Sequence, residues 1–473
     1  MGRMDKHVHF IGIGGSGLSA IATVLLERGY TVSGSDRLAS PVTRRLQEAG
    51  MTIFTAHQPE NVAGAELVLR SSAIPDDNVE VQAARAAGIP VLKRVDYLEQ
   101  FTAGQQPVAI AGTHGKTTTT ALIAWLLTAL GRDPSYVIGG VSANLAGNAH
   151  AGRGEYFVIE ADEYDHMFLG LRPWVEVVTN VEHDHPDCYP TPRDFEQAFE
   201  AFVDCLLPGG SLLACADDPG AASISGYARQ HGHRAFSYSL RNKAADYSAR
   251  EAQPNSTGGF AFDLYRSGRK VLGPVQLQVP GLHNVSNTLA ALGVVDLLGL
   301  SLAEAAQACA GFRGTGRRFE LRGEIKGITI IDDYAHHPTE IRATLAAARV
   351  RFPGCRLWAV WQPHTYSRTR TLQSEFINAL QSADRVIITE VFAAREPAPA
   401  DGYSSRQIAE ALARSPRFKT GGVYFEPALT GASALLISHL QPGDVVLVLS
   451  AGDADQISDQ LVKSLSAVRP EDV

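Results

Sequence analysis

The sequence predicts an α/β protein of three domains, each organised on a largely parallel sheet. Three observations carry this reading. The chain has 473 residues, and at about 150 residues per domain that length divides into roughly three cores. Short β-branched runs alternate with helical stretches along most of the chain, as βαβ units do. Two strand-to-helix junctions are punctuated by glycine, at Gly12-Ile-Gly14-Gly15-Ser16-Gly17 and at Gly112-Thr113-His114-Gly115-Lys116-Thr117, where backbone N–H groups at a helix start can receive phosphate.

The first domain is expected over residues 1–105. His7 to Ile11 reads as a buried strand, Leu18 to Arg28 as a helix stopped by Gly29, and Tyr30 to Ser33 as the next strand. Leu67 to Arg70, a helix over Val79 to Ala87 and a strand from Val91 continue the alternation until the polar stretch Thr102 to Pro107 breaks it. The central domain, 106–313, starts with the strand Val108 to Ala111 and the helix ending at Gly131. It adds strands at Tyr156 to Glu160 and Val175 to Val181 and a helix over Phe195 to Leu206. Residues 235–280 change texture and predict an antiparallel patch, followed by a helix from Asn284 to Leu298. Gly311 to Gly316 reads as a hinge into the third domain, 314–473, where strands at Thr329 to Ile331, Leu357 to Trp361, Arg385 to Thr389 and Val445 to Leu449 alternate with helices at Pro338 to Val350 and Thr371 to Leu380.

Hydrophobic residues at 45% and charged residues at 19% are globular values. The net charge of −8 argues against a general nucleic-acid binder, so small-molecule partners are expected. Five cysteines with no paired spacing suit reduced thiols and a cytoplasmic protein. The start, Met1 to Lys6, has no apolar signal core and fails the myristoylation pattern. No apolar stretch reaches the about 20 residues needed to span a bilayer, so no membrane insertion is expected.

The segment from Gly112 to Thr118 describes a nucleoside triphosphate site. A β-branched strand runs into a glycine turn and then a helix, so the phosphates meet unpaired N–H groups, Lys116 reaches the β/γ-phosphates and the Thr117 hydroxyl faces Mg²⁺. The glycine spacing is shorter than in the usual phosphate loop, whose first glycine would fall at Ile110. In the first domain, Gly12, Gly14 and Gly17 with Asp36 at the end of the next strand form a Rossmann-like fingerprint, which suits a dinucleotide and equally a nucleotide-sugar. Glu160-Ala-Asp162-Glu163 and Thr179-Asn-Val-Glu-His183-Asp184-His185 end strands expected to flank the phosphate-loop strand, where carboxylates suit Mg²⁺. Asn284 and Asn287, one turn apart, can read a purine edge. Arg317-Arg318 offers a γ-phosphate clamp, and Asp332-Asp333-Tyr334-Ala-His336-His337-Pro338 and Gln362-Pro-His364-Thr-Tyr-Ser-Arg368 are dense polar strand-to-helix turns.

Taken together and in this order, these motifs resemble those of the Mur ligases of bacterial cell-wall synthesis, over essentially the whole chain. The resemblance implies a Rossmann-like nucleotide-sugar domain, a central phosphate-loop ATPase domain and a C-terminal Rossmann-like domain that closes on both substrates. It implies an ATP-dependent ligase that joins L-alanine to the muramoyl carboxylate of UDP-N-acetylmuramate through an acyl phosphate. It assigns Gly12, Gly14, Gly15, Ser16, Gly17, Asp36, Ser72 and Ala73 to the UDP-sugar. Gly112, Thr113, His114, Gly115, Lys116, Thr117, Thr118, Asn284, Asn287, Arg318 and Asp332 or Asp333 go to ATP. Thr117 and Glu160 would hold one Mg²⁺ and His185 a second, while Tyr334, His336 and Arg368 would receive the amino acid. Lys116, Arg318, His336 and Arg368 carry the catalytic roles, and a homodimer is left open.

Two departures stand out. Some relatives carry a second arginine where Thr365 stands, and residues 186–233 contain no lysine to be carbamoylated near the second metal. The competing readings are a ligase that recycles a preassembled tripeptide onto the same UDP-sugar, a NAD-dependent oxidoreductase suggested by the first glycine motif alone, and a non-catalytic nucleotide-binding regulator.

Overall fold

A computed structural model describes residues 6–394 and 396–467. The reading of the start over residues 1–5, and the outermost ends of the first and third predicted domains, lie outside the described residues.

The chain forms three sheets. The first has five parallel strands in the spatial order Thr52–Phe54, Thr31–Ser35, His7–Ile11, Leu67–Arg70 and Val91–Lys93. Connectivity therefore reverses beside His7–Ile11, and the crevice at the carboxyl ends of the strands opens where Gly12 leads into the helix Ser16–Glu27.

In the ten-stranded central sheet, the phosphate-loop strand Gln106–Ala111 lies between Val175–Val178 and Tyr156–Glu160, parallel to both. The two acidic motifs thus flank the phosphate loop, as the sequence predicts. The antiparallel expectation for 235–280 needs correction. Arg234–Ser239 pairs parallel with Ser211–Cys215 and with the start of Tyr247–Pro254; only the meander Tyr247–Pro254, Phe260–Arg266, Arg269–Gln276 is antiparallel. Leu212 and Leu213 are fully buried and hold Arg234–Ser239 against the parallel core, while the exposed side chains of Arg269–Gln276 suit an edge.

The third sheet runs Glu320–Ile325, Ile328–Asp333, Asp444–Leu449, Arg356–Trp361, Arg385–Ile388, Val423–Phe425, with only its first pair antiparallel. Separate apolar clusters pack on its two faces, one around Trp361 and Phe376 and the other around Trp358 and Leu436. The helix predicted over Thr371 to Leu380 is Gln373–Leu380, and a short helix, Tyr366–Thr371, precedes it across Leu372 within the stretch read as a polar turn.

The first and central domains share one continuous core, in which Phe101 meets Phe157 edge-on with ring centroids 5.1 Å apart. The stretch predicted as a hinge is tied to the central domain. Asn144 donates to Gly311 O (2.7 Å) and accepts from the Arg313 N–H (2.8 Å), and the Gly316 N–H donates to Val141 O (2.8 Å). Among the described residues, no helix is long and apolar enough to cross a membrane.

Candidate active site

The phosphate loop is built by close approach. Gly112 has φ +130°, and a Cβ there would lie 2.1 Å from Thr179 Oγ1. Gly115, at φ +80°, would place one 2.8 Å from Asn287 Oδ1. Side chains at either position would push the loop off the neighbouring strand end and off the helix Leu282–Leu297. Gly115 then caps the helix Lys116–Ala129, whose free N–H groups face the cleft.

Lys116 folds back over the loop. Its ammonium donates to Gly112 O and Thr113 O and pairs with Glu163 at 2.9 Å. Burial disfavours the charge on both partners, yet each stabilises the other: the Lys116 pKa is raised, and that of Glu163 is lowered by Lys116 and His185. His185 Nε2 stands 3.5 Å from Glu163 Oε1.

Beside this pair, Thr117 Oγ1 donates to Glu160 at 3.2 Å, and Glu160 also accepts the Gly139 N–H at 2.8 Å. Burial raises the Glu160 pKa despite Lys116 nearby, so this carboxylate is short of positive charge. A half-buried carboxylate next to a hydroxyl, facing a phosphate cradle, is a hard-oxygen donor set that fits Mg²⁺.

The adenine-sized opening is a cavity of about 300 Å³ between the central and C-terminal domains. Thr118, Asn284, Asn287, Arg318 and Asp333 line it. Asn284 donates to Pro280 O at 2.7 Å and accepts from Asn287 at 3.2 Å, which holds both amides in place. Asp333 accepts the N–H groups of Phe319 and Ala335 at 2.8 Å each, and burial raises its pKa to about 6.

Asp332, offered by the sequence as the alternative nucleotide contact, is not on the cavity wall. Strand alternation turns it away from Asp333, and it is fully buried 3.9 Å from Arg317 with neither carboxylate oxygen hydrogen-bonded.

A second cavity, about 460 Å³, joins the domains. Ser16 and Gly17 from the first domain, Lys116, Thr117 and Glu160 from the central one, and Arg318 with Tyr334 from the third face it. The glycines of the first motif have individual roles. A Cβ on Gly14 would meet Asp36 Oδ2 at 2.7 Å, and Asp36 accepts the Gly14 N–H at 2.9 Å. A Cβ on Gly17 would overlap the Arg94 guanidinium, which bridges to Asp162 at 3.0 Å. Gly12 packs on Ser71, so the exposed Ser72 and Ala73 adjoin the glycine turn, and Gly15 donates to Gly12 O at 3.2 Å.

The amino-acid residues converge through His364. Arg368 Nη1 contacts His364 Nδ1 at 3.2 Å, the His364 and His336 rings lie 5.9 Å apart, and the Tyr334 ring stands edge-on to His336. Burial drives the His336 pKa down to about 3, leaving it neutral. Arg368 is itself buried and engaged with Asp184, so its guanidinium does not face the cleft free. Thr365 has φ +64°.

Several residues outside the sequence assignment hold the site together. Glu340 accepts the His336 N–H (3.0 Å) and His337 N–H (3.3 Å) and lies 3.4 Å from both Arg318 Nη1 and His114 Nδ1. Its signal was present, as the third helical residue of a capping box. Glu163 stood in a motif already singled out. Arg94 gives no sequence signal, because its partner comes from another domain.

The comparisons with known proteins agree with this geometry. Models of the Mur ligase family catalytic domain, middle domain and glutamate ligase domain match residues 7–106, 110–295 and 317–452. The chain is 44% identical to the UDP-N-acetylmuramate–L-alanine ligase of Pelotomaculum thermopropionicum, with 98% of each chain covered. Among solved structures it resembles the UDP-N-acetylmuramate–alanine ligase of Thermotoga maritima (TM-score 0.81, 29% identity, covering 97% and 98% of the two chains). A murein peptide ligase from Psychrobacter arcticus matches at TM-score 0.69 and 25% identity over 98% and 99%. Read with three sheets that bring a glycine-turn crevice, a phosphate loop and a polar C-terminal wall onto one cavity, these matches establish that the chain belongs to the Mur ligase family.

Proposed function

We infer that this ATP-dependent, amide-bond-forming ligase joins L-alanine to the muramoyl carboxylate of UDP-N-acetylmuramate in peptidoglycan precursor synthesis. The observation that carries the reading is the cavity where Ser16 and Gly17, Lys116 and Thr117, and Arg318 and Tyr334 meet, because a sugar carboxylate, a γ-phosphate and an amine need one common space. Full-length relatives at 41–44% identity carrying the alanine-ligase name support alanine over the tripeptide.

The chemistry brings an anionic carboxylate to an anionic phosphate. Lys116, Arg318 and the N-terminus of Lys116–Ala129 supply positive potential where charge develops on the transferring phosphoryl group. Thr117 and Glu160 would hold one Mg²⁺ and His185 a second, which neutralise phosphate charge when bound. The amine of L-alanine then attacks the acyl carbon of the acyl phosphate formed on the sugar carboxylate, the amide bond forming as inorganic phosphate leaves. Tyr334, neutral His336 and Arg368 orient the amino acid, and closure of the C-terminal domain excludes water.

The UDP-sugar lies along Gly12 to Gly17 with Asp36, Ser72 and Ala73. The domains divide near residues 105 and 313. The enzyme works in the cytoplasm, and a homodimer is compatible with this arrangement.

The test is ADP release with UDP-N-acetylmuramate and a panel of acceptors. L-alanine should give the highest kcat/KM, with glycine and L-serine poorer by the about 1–3 kcal/mol that a small side-chain difference supplies. Faster ligation of L-alanyl-γ-D-glutamyl-diaminopimelate overturns the assignment.

A further inference from the structure

Where the central and C-terminal domains meet, His114, Glu182 and His337 bring one ligand atom each within 4.8 Å of one another. His114 Nε2 is 3.0 Å from Glu182 Oε2, and His337 Nδ1 is 3.8 Å from the same oxygen, with the two imidazoles 4.7 Å apart. Two ligands bonded tetrahedrally at about 2.0–2.1 Å stand about 3.3 Å apart. Both measured separations from Glu182 lie within about half an ångström of that edge.

The surroundings match the outer layer of a metal site. His114 Nε2 donates to Glu182 at 3.0 Å and Nδ1 faces Glu340 Oε1 at 3.4 Å; with its one proton kept on Nδ1 toward Glu340, the neutral imidazole would turn an Nε2 lone pair to the ion. The other oxygen of Glu182 accepts from Thr339 Oγ1 at 3.0 Å, which fixes the carboxylate plane. His337 Nδ1 accepts a long hydrogen bond, 3.3 Å from the Thr339 N–H, which an ion bound at that nitrogen would replace.

We propose that His114, Glu182 and His337 form a site for a borderline divalent ion of the Zn²⁺ or Co²⁺ class, distinct from the hard-oxygen Mg²⁺ position at Thr117 and Glu160. Two imidazoles and one carboxylate leave a fourth position for water, and nitrogen donors select such ions over Mg²⁺. His114 lies in the phosphate loop and Glu182 in the loop after Val175–Val178, both in the central domain, while His337 caps the helix Pro338–Arg351 of the C-terminal domain, so a bound ion ties the two domains together. Such a tie holds the cleft shut and slows the opening that product release needs.

Both imidazoles must be unprotonated to hold an ion, so apparent affinity falls as pH falls.

The test is titration of the full-length, nucleotide-free enzyme with Co²⁺, read by visible absorption, with displacement by Zn²⁺ and small-angle scattering of both forms. One equivalent should bind with d–d bands and no thiolate charge transfer. Affinity should rise with pH, and the Zn²⁺ form should be the more compact or equally compact. Glu182→Gln and His337→Asn should each weaken binding by at least about tenfold, the asparagine preserving the helix cap that His337 supplies. His185→Ala should leave binding unchanged. Wild-type affinity in His337→Asn, loss of binding in His185→Ala, thiolate charge transfer, or expansion on adding Zn²⁺ would each overturn the proposal.

Discussion

Asp184 Oδ1 accepts two hydrogen bonds from the Arg368 guanidinium, at 2.8 Å from Nη2 and 3.1 Å from Nε, across the boundary between the central and C-terminal domains. Both side chains are buried, and Arg368 with His185 holds the Asp184 carboxylate well below its usual range. In the proposed arrangement an incoming amino-acid carboxylate would share Arg368 with Asp184, reaching it through Nη1 on the His364 side. Arg368→Ala should raise the KM for L-alanine at least about tenfold while changing that for ATP little, as steady-state kinetics will measure. It should also lower stability by about 3–5 kcal/mol, because Asp184 is left buried without its cation. Arg368→Lys should restore little, since one ammonium does not reproduce the two parallel donors.

Among the described residues, the hydrogen-bond partners of the Lys116 ammonium are Gly112 O, Thr113 O and Glu163, all in the central domain. Lys116→Ala should lower ADP formation by at least about 100-fold, the cost of losing one preorganised charge at the transferring group. Calorimetry should show UDP-N-acetylmuramate binding unchanged. A parallel loss of UDP-sugar affinity would contradict the separation of the two sites.

The Glu160 carboxylate, hydrogen-bonded among the described residues to a hydroxyl and an amide, would give a metal-dependent counterpart. Glu160→Gln should increase the Mg²⁺ concentration for half-maximal rate by about tenfold or more. Unchanged activity at limiting Mg²⁺ would return Glu160 to a polar turn.

Gly14 separates the first domain's function from the ATPase. A valine there drives its Cβ into Asp36, 2.7 Å away, and displaces both the acid and the turn that a diphosphate approaches. UDP-sugar binding should fall below detection in Gly14→Val while ATP binding persists, both read by calorimetry.

Legibility followed the range of the interaction. Strands such as His7–Ile11 and Asp444–Leu449 announced themselves by β-branched runs, and the glycine turns by their junctions. Three-residue edge strands such as Thr52–Phe54 and Val423–Phe425 were too short for any period to show. Ser211–Cys215 lacks β-branched residues and passed unnoticed, which is why the parallel part of the central sheet was misread as antiparallel. The site's side chains were readable because they cluster in short motifs. Their partners were not, since Lys116 meets Glu163 across 47 residues and Arg368 meets Asp184 across 184. Strand pairing within the central domain decides the first pair, and packing between domains decides the second. Strand alternation also explains why Asp332 and Asp333, adjacent in sequence, have opposite fates.

Asp332 provides a test that reads stability against pH. Burial, with Asp455 and Asp333 nearby, outweighs Arg317 and raises its pKa from the ordinary 3.8 to about 7. Between those values the folded chain keeps a proton that the unfolded chain has released, so this group's contribution to stability falls as pH rises towards 7. Asp332→Asn cannot ionise and lacks that slope. In denaturant unfolding at pH 5 and pH 8, the stability of the variant relative to the wild type should therefore increase by about 2–3 kcal/mol at the higher pH. Taking the difference between the two proteins cancels the titrating groups that do not interact with Asp332. A pH-independent difference would mean that Asp332 is ionised across the whole range, with Arg317 neutralising it inside the sheet.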